Sequence, residues 1–375
     1  MRHSDLQGVV RLSADATAGL VDLVEAMHER IARVPGLGGE FDGRTSGISG
    51  LVYKTIRGVT RLTGGSVDAL LGVLAPAFGK IDPSAEREAI VAALNGVLGD
   101  YLATSGNPLA VAMSFRRDGR PLQLDASALA RSIPAAGGRL LVLMHGLCMN
   151  DLQWLREGHD HGAALARDLG YTPVYLHYNT GLPVATNGKL FAEQMERLAA
   201  EWPHPIEHLS LLCHSMGGLV ARSAIDAGRA MDHRWPSQVG DLVFIGTPHY
   251  GAPLERAGHW IDVALSATPY AAPLARLGKV RSAGITDLRH GMDRPLPTNV
   301  RCYAIAGSLG DDDIALKGRL LGDGLVPVDS ALGVSADAAR RLAFTKNRRW
   351  IANSVSHMQL LSNAKVYAKL CEWLR

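Results

Sequence analysis

Residues 208–223 read His-Leu-Ser-Leu-Leu-Cys-His-Ser-Met-Gly-Gly-Leu-Val-Ala-Arg-Ser, and this stretch decides the fold. The apolar run at 209–212 predicts a short buried strand, and the small residues at 217–230 predict a helix. Ser215 lies at the sharp turn between them. A strand, a tight turn with Ser at its apex and a helix are typical of a nucleophile elbow, which lifts the Ser hydroxyl clear of the sheet.

The elbow pattern departs from the usual Gly-x-Ser-x-Gly at its first position, where this chain has Cys213. Cys is small enough for the close packing of strand and helix, and Gly217 and Gly218 meet the same demand on the helix side. A Ser in an ordinary strand-to-helix connection is the alternative interpretation, because short motifs carry a false-positive risk. The choice between them depends on partner residues elsewhere in the chain.

Length and composition exclude several classes of protein. The 375 residues suffice for one large domain or two modest ones. An apolar content of 47% with 20% charged residues is typical of a soluble globular protein, and a net charge of +3 with 6% aromatic residues does not favour nucleic-acid binding. The four Cys residues show no Cys-x-x-Cys spacing, which indicates core residues in a reducing compartment rather than a zinc ribbon.

Neither a signal-peptide core nor an apolar run of membrane-spanning length is evident in the sequence. We therefore expect a cytoplasmic protein. Residues 1–107 form a helical N-terminal region by pattern, with helices predicted near 20–34, 48–63 and 67–78 and from Asp82-Pro83 to about 104. Two interpretations remain open: a packing or homodimerising cap, or a peripheral membrane or lipid-surface element, since 48–63 is basic on one face and apolar on the other.

Residues 108–375 alternate strands with helices, which predicts an α/β fold with a mostly parallel central sheet flanked by helices. Active sites in such sheets lie beyond the carboxyl ends of the strands, where His145, Ser215 and Gly246 fall. A stretch without an evident strand, about 249–298, is too long for a plain loop and predicts an inserted lid or cap. The predicted strands lie near 110–115, 122–125, 140–144, 173–177, 209–212, 241–245, 300–306 and 349–351, and the predicted helices near 163–169, 190–202, 217–230 and 358–374.

A nucleophilic Ser needs a base and an acid that orients the base. The acid is expected just after the strand at 300–306, where the candidates are Asp323 and the acidic run 311–313. We choose Asp323, because the flanking Gly residues let the backbone turn sharply and aim the carboxylate inward. Asp329 is a weaker alternative, and Asp323 as a simple turn residue remains open. The run 311–313 is expected to be a solvated loop, with a calcium site as the less favoured interpretation.

Fourteen His residues compete for the role of base. His357 is chosen because it follows the last predicted strand and precedes a helix, where a side chain can reach over the strand ends. His214 adjoins the Ser but is expected to point elsewhere, and His145 is expected to be structural. The pair His159 and His161 is interpreted as a surface loop or helix entry rather than a metal site.

Two backbone N–H groups are expected to form an oxyanion hole. One belongs to Met216, directly after the nucleophile, and the other to Leu147, in the loop after the strand at 140–144. Gly146 lets that loop approach a substrate closely. Each such donor typically stabilises a transition state by roughly 3 kcal/mol.

Ser, Asp and His in this order, together with four short motifs, resemble the α/β-hydrolase superfamily and its serine lipase/esterase branch, including triacylglycerol lipases and inositol-deacylase-like enzymes. The resemblance covers roughly 108–375, and its motifs are His145-Gly-Leu, Cys213-His-Ser-Met-Gly-Gly-Leu, Gly246-Thr-Pro-His-Tyr-Gly and Asp323-Gly-Leu-Val-Pro. It implies hydrolysis of a small-molecule or lipid carboxylic ester through an acyl-enzyme, without cofactor or metal. A thioesterase, a polyester depolymerase with the same triad, and a non-catalytic lipid-binding or scaffold protein remain alternatives.

Overall fold

The computed structural model describes residues 85–104, 106–107, 109–251, 282–310 and 322–375. The predicted helices before residue 82, the acidic run 311–313 and residues 252–281 of the predicted lid lie outside these ranges. Within them, no helix is both long and apolar enough to cross a bilayer.

Eight strands form one sheet in the order β2-β1-β4-β3-β5-β6-β7-β8. Strand β1 runs antiparallel to β2 and β4, and all neighbours from β4 to β8 are parallel. The strand bounds are β1 Ser114–Arg117, β2 Arg120–Pro121, β3 Arg139–Met144, β4 Thr172–His177, β5 His208–His214, β6 Val239–Ile245, β7 Arg301–Ser308 and β8 Arg349–Asn353.

Helices cover both faces of this sheet. The cluster on one face includes residues of α1, α4 and α5, and the cluster on the other includes residues of α3 and α9. The helix bounds are α1 Ala85–Thr104, α2 Ala126–Ser132, α3 His161–Leu169, α4 Val184–Ala200, α5 Met216–Ala230, α6 Trp235–Gln238, α7 Ala283–His290, α8 Val328–Ala331 and α9 Ala364–Leu374.

Strand β3 shows why the sheet is buried on both sides. Successive side chains of a strand point to opposite faces, so an apolar run supplies both cores. Leu140 and Val142 join the cluster that contains α1, whereas Leu141 and Leu143 join the cluster that contains α9. The chain therefore has the predicted α/β-hydrolase fold, a mostly parallel sheet between two helical layers.

The hairpin at the sheet edge is shorter than predicted. Asp118 and Gly119 have φ of 51° and 73° and form a two-residue turn, so pairing begins at once between Arg117 and Arg120. The prediction of a partner strand at 122–125 was wrong, because Asp125 instead caps α2: its side chain accepts from the amide of Ala128 at 2.8 Å.

The predicted final helix at 358–374 was also wrong in its extent. A 3₁₀ turn, Gln359–Leu361, comes first, and α9 begins only at Ala364. Asn363 starts the new helix by accepting hydrogen bonds from the amides of Lys365 and Val366 at 2.9 and 3.3 Å. The interruption leaves His357 in a loop beyond the end of β8.

Helix α1 is the described part of the predicted N-terminal region, and its end at Thr104 matches the prediction. Its apolar side chains Leu94, Val97, Leu98 and Leu102 are buried in the same cluster as Phe115 of β1. The helix therefore packs directly on the sheet-containing part of the chain, while the division at 107 and 108 remains a prediction.

Candidate active site

Ser215 lies between the end of β5 and the start of α5, with φ 54° and ψ −122°. A residue other than Gly at positive φ is uncommon, and such backbone strain costs of order 1–3 kcal/mol. The surrounding bonds hold it in place: the amide of Ser215 donates to the carbonyl of Ile245 at 2.8 Å, and the amide of Gly218 to the carbonyl of Ser215 at 3.1 Å. The structure therefore has the elbow geometry that the sequence predicts.

Cys213 occupies the usual Gly position without disturbing the strand. It pairs in register with Met144 of β3 and Phe244 of β6, and its Sγ lies 3.7 Å from the Sδ of Met144. Burial raises the pKa of the Cys213 thiol well above its ordinary value. The side chain is thus a small, neutral core group beside the elbow rather than a second nucleophile.

Asp323 and His357 form a buried pair at the same end of the sheet. The Nδ1 of His357 lies 2.7 Å from the Oδ2 of Asp323, and the amide of His357 donates to the carbonyl of Asp323 at 3.0 Å. The other carboxylate oxygen accepts from the amides of Leu325 and Val326 at 3.0 and 2.8 Å. With Nδ1–H donating to the carboxylate, Nε2 carries the lone pair that a general base needs.

The His357 ring packs on Gly246, which directly follows Ile245. A Cβ on Gly246 would lie 3.0 to 3.1 Å from ring atoms of His357, so the ring packs directly on the backbone there. The amide of Ser215 donates to the carbonyl of Ile245, the residue directly before Gly246. The Oγ of Ser215 is buried and finds no hydrogen-bond partner among the described residues. In uncomplexed structures catalytic hydrogen bonds are often long, and they tighten when substrate binds.

His214 has a contact with His357 that the sequence did not predict. The two ring centroids lie 4.7 Å apart, and the Nε2 of His214 lies 3.3 Å from the carbonyl of His357. Burial, followed by the nearby His357, lowers the pKa of His214 well below its ordinary value. A neutral His214 can therefore donate Nε2–H to that carbonyl and fix the loop that holds His357. Its adjacency to Ser215 gave no signal of this contact.

The loop after β3 approaches the elbow through Gly146. A Cβ on Gly146 would lie 3.0 Å from the Cβ of Ser215. Leu147 follows and is buried, and neither its amide nor that of Met216 bonds to a backbone carbonyl within the part of the chain that the structure describes. Both N–H groups therefore remain candidates for the oxyanion hole.

The side chain of His145 contacts both this loop and Tyr178. Its ring stacks on Tyr178 at 4.4 Å, its Nδ1 lies 2.9 Å from the carbonyl of Gly146, and the Tyr178 hydroxyl donates to the carbonyl of His145 at 2.8 Å. Burial lowers the pKa of His145 to about 3, so the ring is neutral. This geometry agrees with the structural role expected for His145.

The remaining candidates belong to other elements of the fold. Asp329 is in the first turn of α8, while His357 pairs with Asp323. His159 and His161 lie at the entry to α3, with Nε2 of His159 2.8 Å from Nδ1 of His161. Among the described residues, no group of three or more His, Cys, Asp or Glu side chains is placed to hold a metal ion.

The structure also contains a partly buried network of charged side chains near the loop after β3, which the sequence did not predict. Arg116 of β1 lies 2.7 Å from Glu88 of α1 and 3.3 Å from Asp151, and His177 lies 3.3 Å from Asp151. Burial opposes ionisation of Asp151, but His177 and Arg116 outweigh it and lower its pKa. The sequence gave little signal of this network, because its members are up to 89 positions apart (Glu88 and His177).

Comparisons with known proteins give one family model of unknown function and several solved structures of low sequence identity. A model of a domain of unknown function, DUF7379, matches residues 113–288. Among curated proteins, none matches the sequence significantly.

Several solved structures match the chain at low identity and with TM-scores below 0.5. The mature lipase BlEst2 of Bacillus licheniformis is 18% identical, with a TM-score of 0.45 over 70% of this chain and 98% of its own. The RedJ thioesterase of Streptomyces coelicolor is 16% identical, with a TM-score of 0.39 over 64% and 91% of the two chains. The ester hydrolase EH1AB1 from the Lake Arreo metagenome is 14% identical, with a TM-score of 0.39 over 82% and 98%. The assignment of the α/β-hydrolase fold to this chain rests on its own sheet order and helical layers.

Proposed function

We propose that the protein is a serine hydrolase that cleaves carboxylic esters through an acyl-enzyme on Ser215. The observation that carries this proposal is the strained Ser215, whose amide bonds to Ile245, while the imidazole of the buried His357–Asp323 pair packs on the next residue, Gly246. Backbone strain of this kind clusters at active sites, where the surrounding structure maintains it. A Ser hydroxyl next to an imidazole oriented by a carboxylate is the arrangement that nucleophilic acyl transfer requires.

The first half of the proposed reaction forms the acyl-enzyme. Ser215 Oγ attacks the ester carbonyl carbon while His357 Nε2 takes the hydroxyl proton, and Asp323 stabilises the resulting imidazolium. The carbonyl oxygen becomes an oxyanion that accepts from the amides of Leu147 and Met216. The intermediate then expels the alcohol, which leaves with the proton from His357.

The second half releases the acid. A water gives a proton to His357 as it attacks the acyl carbon, the same two amides hold the second oxyanion, and Ser215 leaves with the proton returned. A thioester would follow the same steps with a thiol as leaving group, so the geometry near Ser215 does not separate the two substrate classes. Loss of a single oxyanion donor typically lowers kcat by about 10²- to 10³-fold.

The test is hydrolysis of p-nitrophenyl esters from acetate to palmitate, and of matched acyl thioesters, by the wild type and Ser215→Ala. We expect Ser215→Ala to lower kcat by at least about 10⁴-fold on every substrate that the wild type cleaves. Ser237→Ala, which removes an exposed hydroxyl within α6, is the matched control and should retain full activity. Undiminished turnover by Ser215→Ala, or a wild type inert on the whole panel, would contradict the proposal.

A further inference from the structure

Helix α1 contains a Gly at a helix-interior position that lies against the loop proposed to hold the oxyanion. A Cβ added to Gly96 would overlap the Sγ of Cys148 and lie 3.0 Å from its Cα. Gly inside a helix destabilises it relative to Ala, so a Gly there is favoured only if a larger residue does not fit. The close approach to Cys148 supplies that reason.

Cys148 directly follows Leu147, and its backbone fixes the shape of the loop. It has φ 59°, and its amide donates to Thr180 Oγ1 at 3.1 Å, so this N–H is not available to a substrate. The Sγ lies 3.8 Å from the carbonyl of Ala93 on α1. The position of Cys148 is therefore defined by Thr180 on one side and by α1 on the other, and the direction of the Leu147 amide follows from it.

Helix α1 is itself fixed by hydrogen bonds from three parts of the chain. The Asn95 side chain donates to the carbonyl of Leu109 at 2.8 Å and accepts from the amide of Val111 at 2.9 Å. Asn179, in the loop after β4, donates to the carbonyl of Gly99 at 2.8 Å. Ser282, at the start of α7, donates to the carbonyl of Gly96 at 2.6 Å. The helix is thus anchored on both sides of Gly96, and the loop rests on a rigid surface.

We propose that Gly96 is a positioning residue for the oxyanion hole, because its missing side chain sets the place of Cys148 and so of the Leu147 amide. This inference rests on the proposed function. It makes α1 part of the catalytic apparatus, although it lies in the region that the sequence separates from the catalytic domain. Gly96 touches no substrate and acts through Cys148.

The test is Gly96→Ala in the full-length protein. The added methyl group should push Cys148 away from α1 and turn the Leu147 amide from the oxyanion. We expect kcat on the best ester to fall by about 10- to 100-fold with KM changed by less than about threefold. The inhibition constant of an aliphatic trifluoromethyl ketone, whose adduct with Ser215 carries an oxyanion, should rise by a similar factor.

A control and a rescue separate positioning from general loss of packing. Gly228→Ala places a methyl group 2.8 Å from Pro236 Cγ, at the far end of α5; it should lower Tm while kcat and inhibitor affinity stay at wild-type values. The double variant G96A/C148G removes the overlapping side chain and suits the positive φ at 148. It should recover kcat and inhibitor affinity to within about threefold of Cys148→Gly alone.

Three outcomes would overturn the inference. These are unchanged kcat and inhibitor affinity in Gly96→Ala, a loss that Gly228→Ala reproduces at equal Tm, and a loss that Cys148→Gly fails to rescue in the double variant. Each can occur while Ser215→Ala still abolishes turnover, and the proposed function then stands without the role for Gly96. If Ser215→Ala retains activity, the proposed function fails first.

Discussion

Among the described residues, two of the His–Asp pairs lie at opposite ends of the parallel strands of the sheet. His357 and Asp323 lie 2.7 Å apart beyond the carboxyl ends, and His208 and Asp241 lie 2.5 Å apart at the amino ends. In both pairs the carboxylate is buried. They differ in the other partners of the carboxylate: Asp241 bonds through both oxygens to Arg301 at 2.7 and 2.9 Å, whereas Asp323 accepts two backbone amides besides its imidazole.

This difference distinguishes a structural pair from the pair that we propose for catalysis. Burial opposes ionisation of Asp241, but His208 and Arg301 outweigh it and lower its pKa, so the guanidinium already neutralises the charge. At Asp323 no described cation lies within ion-pair distance except the imidazole of His357. We propose that its carboxylate stabilises the imidazolium that forms on His357 during the reaction. A His–Asp contact alone therefore does not indicate a triad.

Removing each imidazole in turn should give the largest difference in kcat between the two pairs. We expect His357→Ala to lower kcat by about 10⁴- to 10⁶-fold, because the base and the leaving-group acid are lost together. His208→Ala should leave kcat within about twofold, since Asp241 keeps Arg301. Initial rates on the preferred p-nitrophenyl ester measure both. Equal losses in the two variants would show that the pair beside Ser215 has no special role.

Replacing each carboxylate by an amide should give a smaller difference in kcat between the same two pairs. Asp323→Asn should lower kcat by about 10³- to 10⁴-fold, because an amide neither holds the required tautomer nor stabilises the imidazolium. Asp241→Asn should instead destabilise the fold by about 1–3 kcal/mol, since it removes charge-assisted bonds from a buried site, with kcat retained. Urea unfolding and steady-state kinetics distinguish these results, and a large kcat loss in Asp241→Asn would contradict the assignment.

The buried imidazole of His161 should affect the pH dependence of stability rather than kcat. Its Nε2 lies 3.0 Å from the carbonyl of Leu360, and burial lowers its pKa from 6.5 to about 4. Between these two pH values the unfolded chain binds a proton that the folded chain does not, so stability falls as pH decreases from 6.5 to about 4. The full effect is at most about 3 kcal/mol.

The measurement is the unfolding free energy of the wild type and His161→Gln from pH 7.5 to 4. The wild-type curve should fall more steeply below pH 6.5 than that of the variant. His204→Gln, at an exposed position, controls for loss of one His. Parallel curves for the wild type and His161→Gln would mean that His161 is protonated in the folded state.

The fold was largely predictable because apolar runs and turns are local signals. The runs beginning at Leu140, Leu209 and Asp241 each became a buried strand, and the Ser215 turn took the positive φ of an elbow. The errors came from side-chain caps. Asp125 and Asn363 cap the starts of α2 and α9. The hydrophobic pattern alone predicted a strand around Asp125 and a longer helix around Asn363.

The contact between Asp323 and His357 could be predicted from chain order, whereas contacts that depend on packing could not. Asp323 and His357 were predicted from their place after β7 and β8. The contact of His214 with the His357 carbonyl, and that of Gly96 with Cys148, join residues 143 and 52 positions apart. Such contacts leave no periodic or compositional trace, because they depend on how separate elements pack.

The central claim is that Ser215 is the nucleophile activated by His357 and Asp323. Its most direct test is reaction with a fluorophosphonate, followed by mass spectrometry of the intact protein and of its peptides. The account predicts one adduct per chain, located on Ser215, lost in Ser215→Ala, formed far more slowly in Asp323→Asn and at the wild-type rate in Asp241→Asn. An adduct on another residue, or equal labelling rates in the two Asp variants, would contradict it.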